Sequence, residues 1–164
     1  MKPIINLADL ELQPWGRGDK FEARLGAIAS KIGAQKLGYG LTVVPPGKRA
    51  FPAHSHRVNE EMFYIIEGEG ELRVGSALYP VRAGDVIACP PGGPETAHQI
   101  VNTSSRDIRY LAVSTMLMPE VVEYPDSKKF GVRWPLSPDE KGQPQSGRFL
   151  GRIEDGIKDY WDGE

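Results

Sequence analysis

A chain of 164 residues with 40% hydrophobic and 26% charged side chains can bury a core as one domain, without disulfides or a structural metal. A formal net charge of -2 supplies no basic field for nucleic acid, and no uncharged apolar run is long enough to cross a membrane. Cys89 is the single cysteine, so no intrachain disulfide forms and a cytoplasmic location is expected; Asp9 and Glu11 interrupt the short apolar run after Lys2, so no secretory leader is expected either.

Residues 1–20 read as an irregular arm. Phe21 to Ile28 reads as a first strand, with a helical reading equally open over Ala23–Ala27. Leu37 to Val44 is a strand that ends at Pro45-Pro46-Gly47, where proline stops ladder pairing and glycine permits the turn. Residues 60–67 are aromatic and β-branched and close at Gly68, the strongest strand signal in the chain. Glu71–Val74 and Leu78–Val81 flank Gly75-Ser76-Ala77 as a hairpin. Val86–Cys89 is the next strand, then a rigid Pro90–Pro94 loop, then strands at His98–Asn102 and Arg109–Thr115. Residues 119–148 carry five prolines and little periodicity. They read as a long surface excursion with a strand near Val121–Tyr124. Ile153, Ile157, Tyr160 and Trp161 recur at helical spacing, which suggests a short C-terminal helix. Many short strands with turn signals between them predict an all-β sandwich or small barrel.

The chain has three histidines. His54 and His56 precede the best strand and, two apart in extended backbone, point to one face. His98 follows the Pro/Gly loop on another strand. Glu61 lies five residues past His56, an odd offset that an unbroken strand would place on the opposite face. A bulge within Arg57–Glu60 is therefore expected. Three neutral imidazoles and a carboxylate suit one divalent transition metal, such as zinc, manganese, iron or nickel, and leave open positions for a substrate.

These residues resemble the two motifs of the cupin superfamily. Gly47, His54, His56, Glu61 and Gly68 follow the first, with a gap of six rather than five residues after Gly47. Gly84, Pro90, Gly92, His98 and Asn102 follow the second, with three extra residues between Gly92 and His98. The Glu61-to-Gly68 spacing selects Glu61 over Glu60 as the ligand. The resemblance implies a double-stranded β-helix, or jelly-roll barrel, with metal ligands His54, His56, Glu61 and His98. It divides the chain into an N-terminal arm with first strands (1–36), the barrel (37–118) and a C-terminal extension (119–164) packed on the barrel or on a dimer partner. Met118–Ser127 and Asp159–Glu164 further resemble a cupin subgroup assigned by analogy to sugar-phosphate isomerases.

That resemblance implies a phosphorylated sugar as the small-molecule substrate and a homodimer as the assembly. The metal would act as a Lewis acid, with Glu60 or a metal-bound hydroxide as the base and Tyr64 beside it. Arg49, Tyr39 and Gln99 are candidates for binding substrate, and Arg49, Lys48, Arg57 and Arg73 for its phosphate. Two other readings stand beside it: an oxygen-dependent non-haem iron enzyme on the same ligands, and a non-catalytic binder of a small ligand. Cys89, before Pro90 on a buried strand, reads as an inert thiol.

Overall fold

The computed structural model describes residues 2–142, 144–152, 154, 156 and 159–163. In chain order its first strands are β1 (Gln13–Arg17), β2 (Phe21–Ala27), β3 (Leu37–Val44), β4 (Ser55–His56), β5 (Glu61–Glu67), β6 (Glu69–Val74) and β7 (Ala77–Arg82). The remaining strands are β8 (Val86–Cys89), β9 (His98–Val101), β10 (Ile108–Thr115), β11 (Glu120–Tyr124), β12 (Lys129–Leu136) and β13 (Gln145–Arg152). A single turn of helix, α1 (Ala29–Ile32), separates β2 from β3.

One sheet has the order β1-β2-β3-β10-β5-β8. The other is built in two halves, β7-β6-β9 and β13-β12-β11-β4, joined by a backbone bridge between His54 and His98. The strand pairs are antiparallel, and the two sheets roll into a jelly-roll barrel. Pro80 falls on β7, an edge strand, where a missing N–H costs no ladder bond. Gly68 turns the chain between β5 and β6 at φ 85°; a Cβ there would lie 2.5 Å from the Asp107 carbonyl oxygen, so only glycine fits.

The core follows the period-2 alternation of the strands. Phe63 and Ile65 of β5 face inward with Val44, Leu72, Ile87, Ile100 and Ile108. Full burial of Val44, Ile65 and Ile108 stabilises the fold by about 2 kcal/mol each. Met62 and Tyr64, on the alternate positions, are exposed. The apolar run in β3 is continuous because both of its faces are covered. Val44 joins the barrel core, while Leu41 and Val43 pack under Leu10, Ile28 and the apolar side chains of the N-terminal arm.

Several expectations change here. The arm is not wholly irregular: β1 lies within it and pairs with β2. Phe21–Ala27 is strand, not helix. The 119–148 segment is not a surface excursion but most of a meander, β11-β12-β13, that extends the second sheet by pairing Val122 with His56. Its prolines sit mostly between strands, where they shape turns. Of the positions on which the C-terminal helix rested, Ile153 and Ile157 lie outside the described residues, and Tyr160 and Trp161 lie in a turn.

Candidate metal centre

His54, His56 and His98 reach the barrel interior from adjacent strands of the second sheet, and Glu61 reaches it from the first. His54 and His98 exchange two backbone hydrogen bonds, His54 N–H to the His98 carbonyl at 3.2 Å and His98 N–H to the His54 carbonyl at 2.8 Å. This narrow pairing brings the two rings to 4.8 Å between centroids. The Pro/Gly loop closes on the same site through its backbone, as Gly92 N–H donates to the His56 carbonyl at 2.8 Å.

The parity of Glu61 is solved differently from the expected bulge. His56 belongs to β4, in the second sheet, and Glu61 to β5, in the first. The chain crosses between sheets over 57–60, so the two residues share no strand and the odd offset places no constraint on them. Glu120, on β11, holds that crossing. Its buried carboxylate accepts from the backbone N–H groups of Arg57, Val58 and Asn59 and from the Asn59 side-chain amide. Asn59 Oδ1 in turn accepts from Thr115 Oγ1 at 2.9 Å and from Leu117 N–H at 2.7 Å.

All three imidazole Nε2 atoms converge on one carboxylate. His98 Nε2 lies 3.0 Å from Glu61 Oε2, His54 Nε2 3.8 Å from the same oxygen, and His56 Nε2 3.6 Å from Glu61 Oε1. One ligand atom from each of the four residues lies within 4.8 Å of the others. The opposite ring nitrogens face acceptors: His54 Nδ1 lies 2.8 Å from the Pro52 carbonyl, His98 Nδ1 3.3 Å from that of Thr96, and His56 Nδ1 3.6 Å from Glu120 Oε2. With the proton on Nδ1 donated to these carbonyls, the Nε2 lone pairs of His54 and His98 are free for a cation. Both nitrogens of His56 are buried with no hydrogen-bond partner, and a cation in the cluster would complete Nε2.

The electrostatics fit the same occupant. Burial, and then the charge of His98, push the His54 imidazole down to about 4, so at neutral pH it is an uncharged donor. Burial alone would raise the Glu61 carboxyl. The hydrogen bond from His98 and the charges of His56, His54 and His98 together outweigh it and hold Glu61 below its ordinary value. Three imidazole nitrogens and one anionic oxygen are a donor set for a divalent transition metal.

The cluster opens into a cavity of about 790 Å³, whose walls include Thr42, Phe51, Phe63, Val122, Tyr124 and Arg133. Tyr124 stacks on His54, with centroids 6.1 Å apart and an interplanar angle of 29°. The other residues proposed from sequence lie elsewhere. Glu60 and Tyr64 are exposed and outside this cavity, because the inward positions of β5 are Glu61, Phe63 and Ile65. Tyr39 packs with Leu10, Ile28, Leu41 and Val43 in the apolar group under the N-terminal arm, away from the His/Glu site. Gln99 is buried on the face opposite His98, where its Nε2 donates to the Phe51 carbonyl at 2.6 Å. Arg49 places its backbone between Phe21 and Val101 and does not line the cavity. Lys48, Arg57 and Arg73 are taken by Glu22, Glu123 and Asp126, at 3.8, 2.6 and 2.7 Å. Burial, then the Glu61 charge across the strand pair, push the Cys89 thiol up to about 12, which makes it a poor nucleophile.

Residues 40–114 match the family model described as the Cupin domain. The chain is 31% identical over 103 residues to the oxalate-binding protein of Thermotoga maritima, covering 62% of this chain and 82% of that one. A candidate sugar phosphate isomerase from Acidithiobacillus ferrooxidans superimposes with a TM-score of 0.77 at 22% identity, covering 96% of both chains. The cupin-superfamily sugar phosphate isomerase from Silicibacter pomeroyi gives 0.75 at 21%, covering 96% of this chain and 98% of that one. The two motifs, the rolled sheets around a His/Glu cluster and the length of relative covered agree: the chain belongs to the cupin family.

Proposed function

We propose that this cupin is a divalent-metal-dependent isomerase of phosphorylated sugars. The observation that carries the reading is the convergence of three Nε2 atoms and Glu61 at the inner end of a cavity large enough for a sugar phosphate. The meander that walls this cavity adds weight. The matches to the Acidithiobacillus and Silicibacter isomerase structures extend over 96% of the chain, meander included, whereas the oxalate-binding relative aligns with 62% of it.

His54, His56, Glu61 and His98 would hold the ion, which suits zinc, manganese, iron or nickel. When bound, such an ion supplies Lewis acidity to a carbonyl oxygen and its neighbouring hydroxyl. Tyr124, a neutral phenol stacked against His54, offers an O–H donor to a second substrate oxygen. Phe51, Phe63 and Val122 keep that end of the cavity apolar and limit water around the reacting carbons. Glu60 has no part in this scheme, since its carboxylate lies outside the cavity.

Metal-loaded protein should interconvert aldose and ketose phosphates, followed by NMR over a panel of hexose and pentose phosphates. Inertness across the panel overturns the reading. The oxalate-binding relative supports a second one, in which the same centre binds a small ligand without turnover. Melting-temperature shifts with small dicarboxylates and no chemistry would favour it. The outer face of β5 and β8, with Met62, Tyr64 and Val86 exposed, gives a homodimer its contact surface. The free thiol of Cys89 accords with the cytoplasm.

A further inference from the structure

The two faces of the C-terminal meander differ sharply in chemistry. On one face Phe130 packs against Phe149 at 5.7 Å between centroids, and the Trp134 ring covers Gly147. The opposite face carries Arg133 of β12 directly across from Arg148 of β13. It continues on β11 through Val122 and Tyr124, which line the metal cavity together with Arg133.

Arg133 and Arg148 are cross-strand partners with Cβ atoms about 5 Å apart, a spacing at which like charges repel. Among the described residues neither arginine has a carboxylate partner. The acidic residue in register on the neighbouring strand is Glu120, and its carboxylate is committed to the 57–59 crossing. The other cations of this face are engaged: Lys129 Nζ lies over the Tyr124 ring at 5.6 Å, and Arg152 Nε donates to the Ser127 carbonyl at 3.2 Å. In register, Tyr124 of β11 faces Lys129 of β12, which in turn faces Arg152 of β13, so Tyr124 shares this face of the meander with Arg133 and Arg148. Tyr124, which lines the cavity with Arg133, stacks on the His54 ring.

We propose that Arg133 and Arg148 form the phosphate subsite at the mouth of the metal cavity. This inference rests on the isomerase reading for the other end of the ligand, the sugar carbonyl and hydroxyls held at the His/Glu centre. Two guanidinium groups side by side present the paired donors that a tetrahedral phosphate accepts, and a bound dianion converts their repulsion into attraction. It also explains why Arg49, Lys48, Arg57 and Arg73 are not needed for this task.

The test uses full-length, metal-loaded protein and the variant R133Q/R148Q, titrated with inorganic phosphate by calorimetry. Any direct contact of phosphate with the ion is common to both proteins, so their ratio isolates the arginines. Phosphate affinity should fall by about tenfold or more in the variant. Its metal content should be unchanged and its melting temperature, without phosphate, equal or higher. Equal affinity in the two proteins, no measurable affinity in the wild type, or a lower-melting variant overturns the subsite. The isomerase reading fails separately: a protein with arginine-dependent phosphate affinity and no turnover keeps the subsite and loses the reaction. Turnover of sugar phosphates with KM unmoved in R133Q/R148Q keeps the reaction and loses the subsite.

Discussion

His54 and His98 are bound to each other twice through their backbones, at 2.8 and 3.2 Å, before any side chain is considered. Among the described residues this bridge is what joins the β7-β6-β9 half of the second sheet to the half that contains β4. The two imidazoles are therefore positioned by sheet pairing, and the fold spends no flexible loop on bringing them together. Removal of the His98 ring in His98→Ala leaves the bridge in place. Metal content measured by elemental analysis should drop by on the order of 100-fold at equal free metal, while the metal-free melting temperature moves little. A variant that keeps its ion would remove His98 from the ligand set.

Glu120 is the side chain whose loss should reach furthest. Three backbone N–H groups and the Asn59 amide donate to its carboxylate. Glu120→Ala leaves the Val58 and Asn59 N–H groups without an acceptor, while Arg57 N–H keeps the Val121 carbonyl and the Asn59 amide that of Leu117; it should cost about 3 kcal/mol in urea unfolding, with weaker metal binding because His56 loses the carboxylate behind its Nδ1. Glu120→Gln, which retains one acceptor oxygen, should fall between the two. Equal stability of all three proteins would refute the role.

Metal-free protein should lose stability on acidification. His54 titrates at about 4 in the fold, against 6.5 ordinarily, so between these values the unfolded chain binds the proton and the folded one does not. Folding stability is then undiminished above about pH 6.5 and falls toward pH 4, by up to about 3 kcal/mol from this group. Glu61, held below its ordinary value, carries the same trend to lower pH. Urea midpoints of chelator-treated protein across this range provide the measurement, and a flat profile would contradict it.

Metal itself should stabilise the fold. An ion at 1,000 times its dissociation constant adds about 4 kcal/mol, so excess zinc or manganese should raise the melting temperature by several degrees and chelation should reverse the rise. Tyr64→Phe, on the outer face of β5, should leave both the metal content and this shift unchanged. Loss of either would return Tyr64 to the site.

The strands of the barrel were legible from sequence because they obey a local code: period-2 alternation, β-branched runs, and Gly or Pro at their ends. Leu37–Val44 and Val86–Cys89 occupy the ranges read from sequence. The four cluster residues were legible because two short motifs confine them. Three things were not legible, each for a non-local reason. The parity of Glu61 looked anomalous because a sequence does not announce that the chain changes sheets between two residues. Glu120 stands in a run, Glu120-Val121-Val122-Glu123, in which nothing separates a buried clamp from a solvated carboxylate; only the pairing of β11 with β4, more than 60 residues away, does so. Arg133 and Arg148 acquire meaning only as cross-strand partners, and prolines on both sides of β12 masked the strand that places them there.

The crossing clamp changes what counts as the smallest working unit. All four side chains of the His/Glu cluster fall within the 40–114 span of the family match, so that segment looks self-sufficient on paper. Yet the acceptor that sets the course of the chain from His56 to Glu61 is supplied by Glu120, as is the carboxylate behind His56, and Tyr124 from the same strand covers His54. A chain cut after Met118 would carry all four cluster residues and lack the wall that aims them. In this protein the tail shapes the site to which it gives no cluster residue.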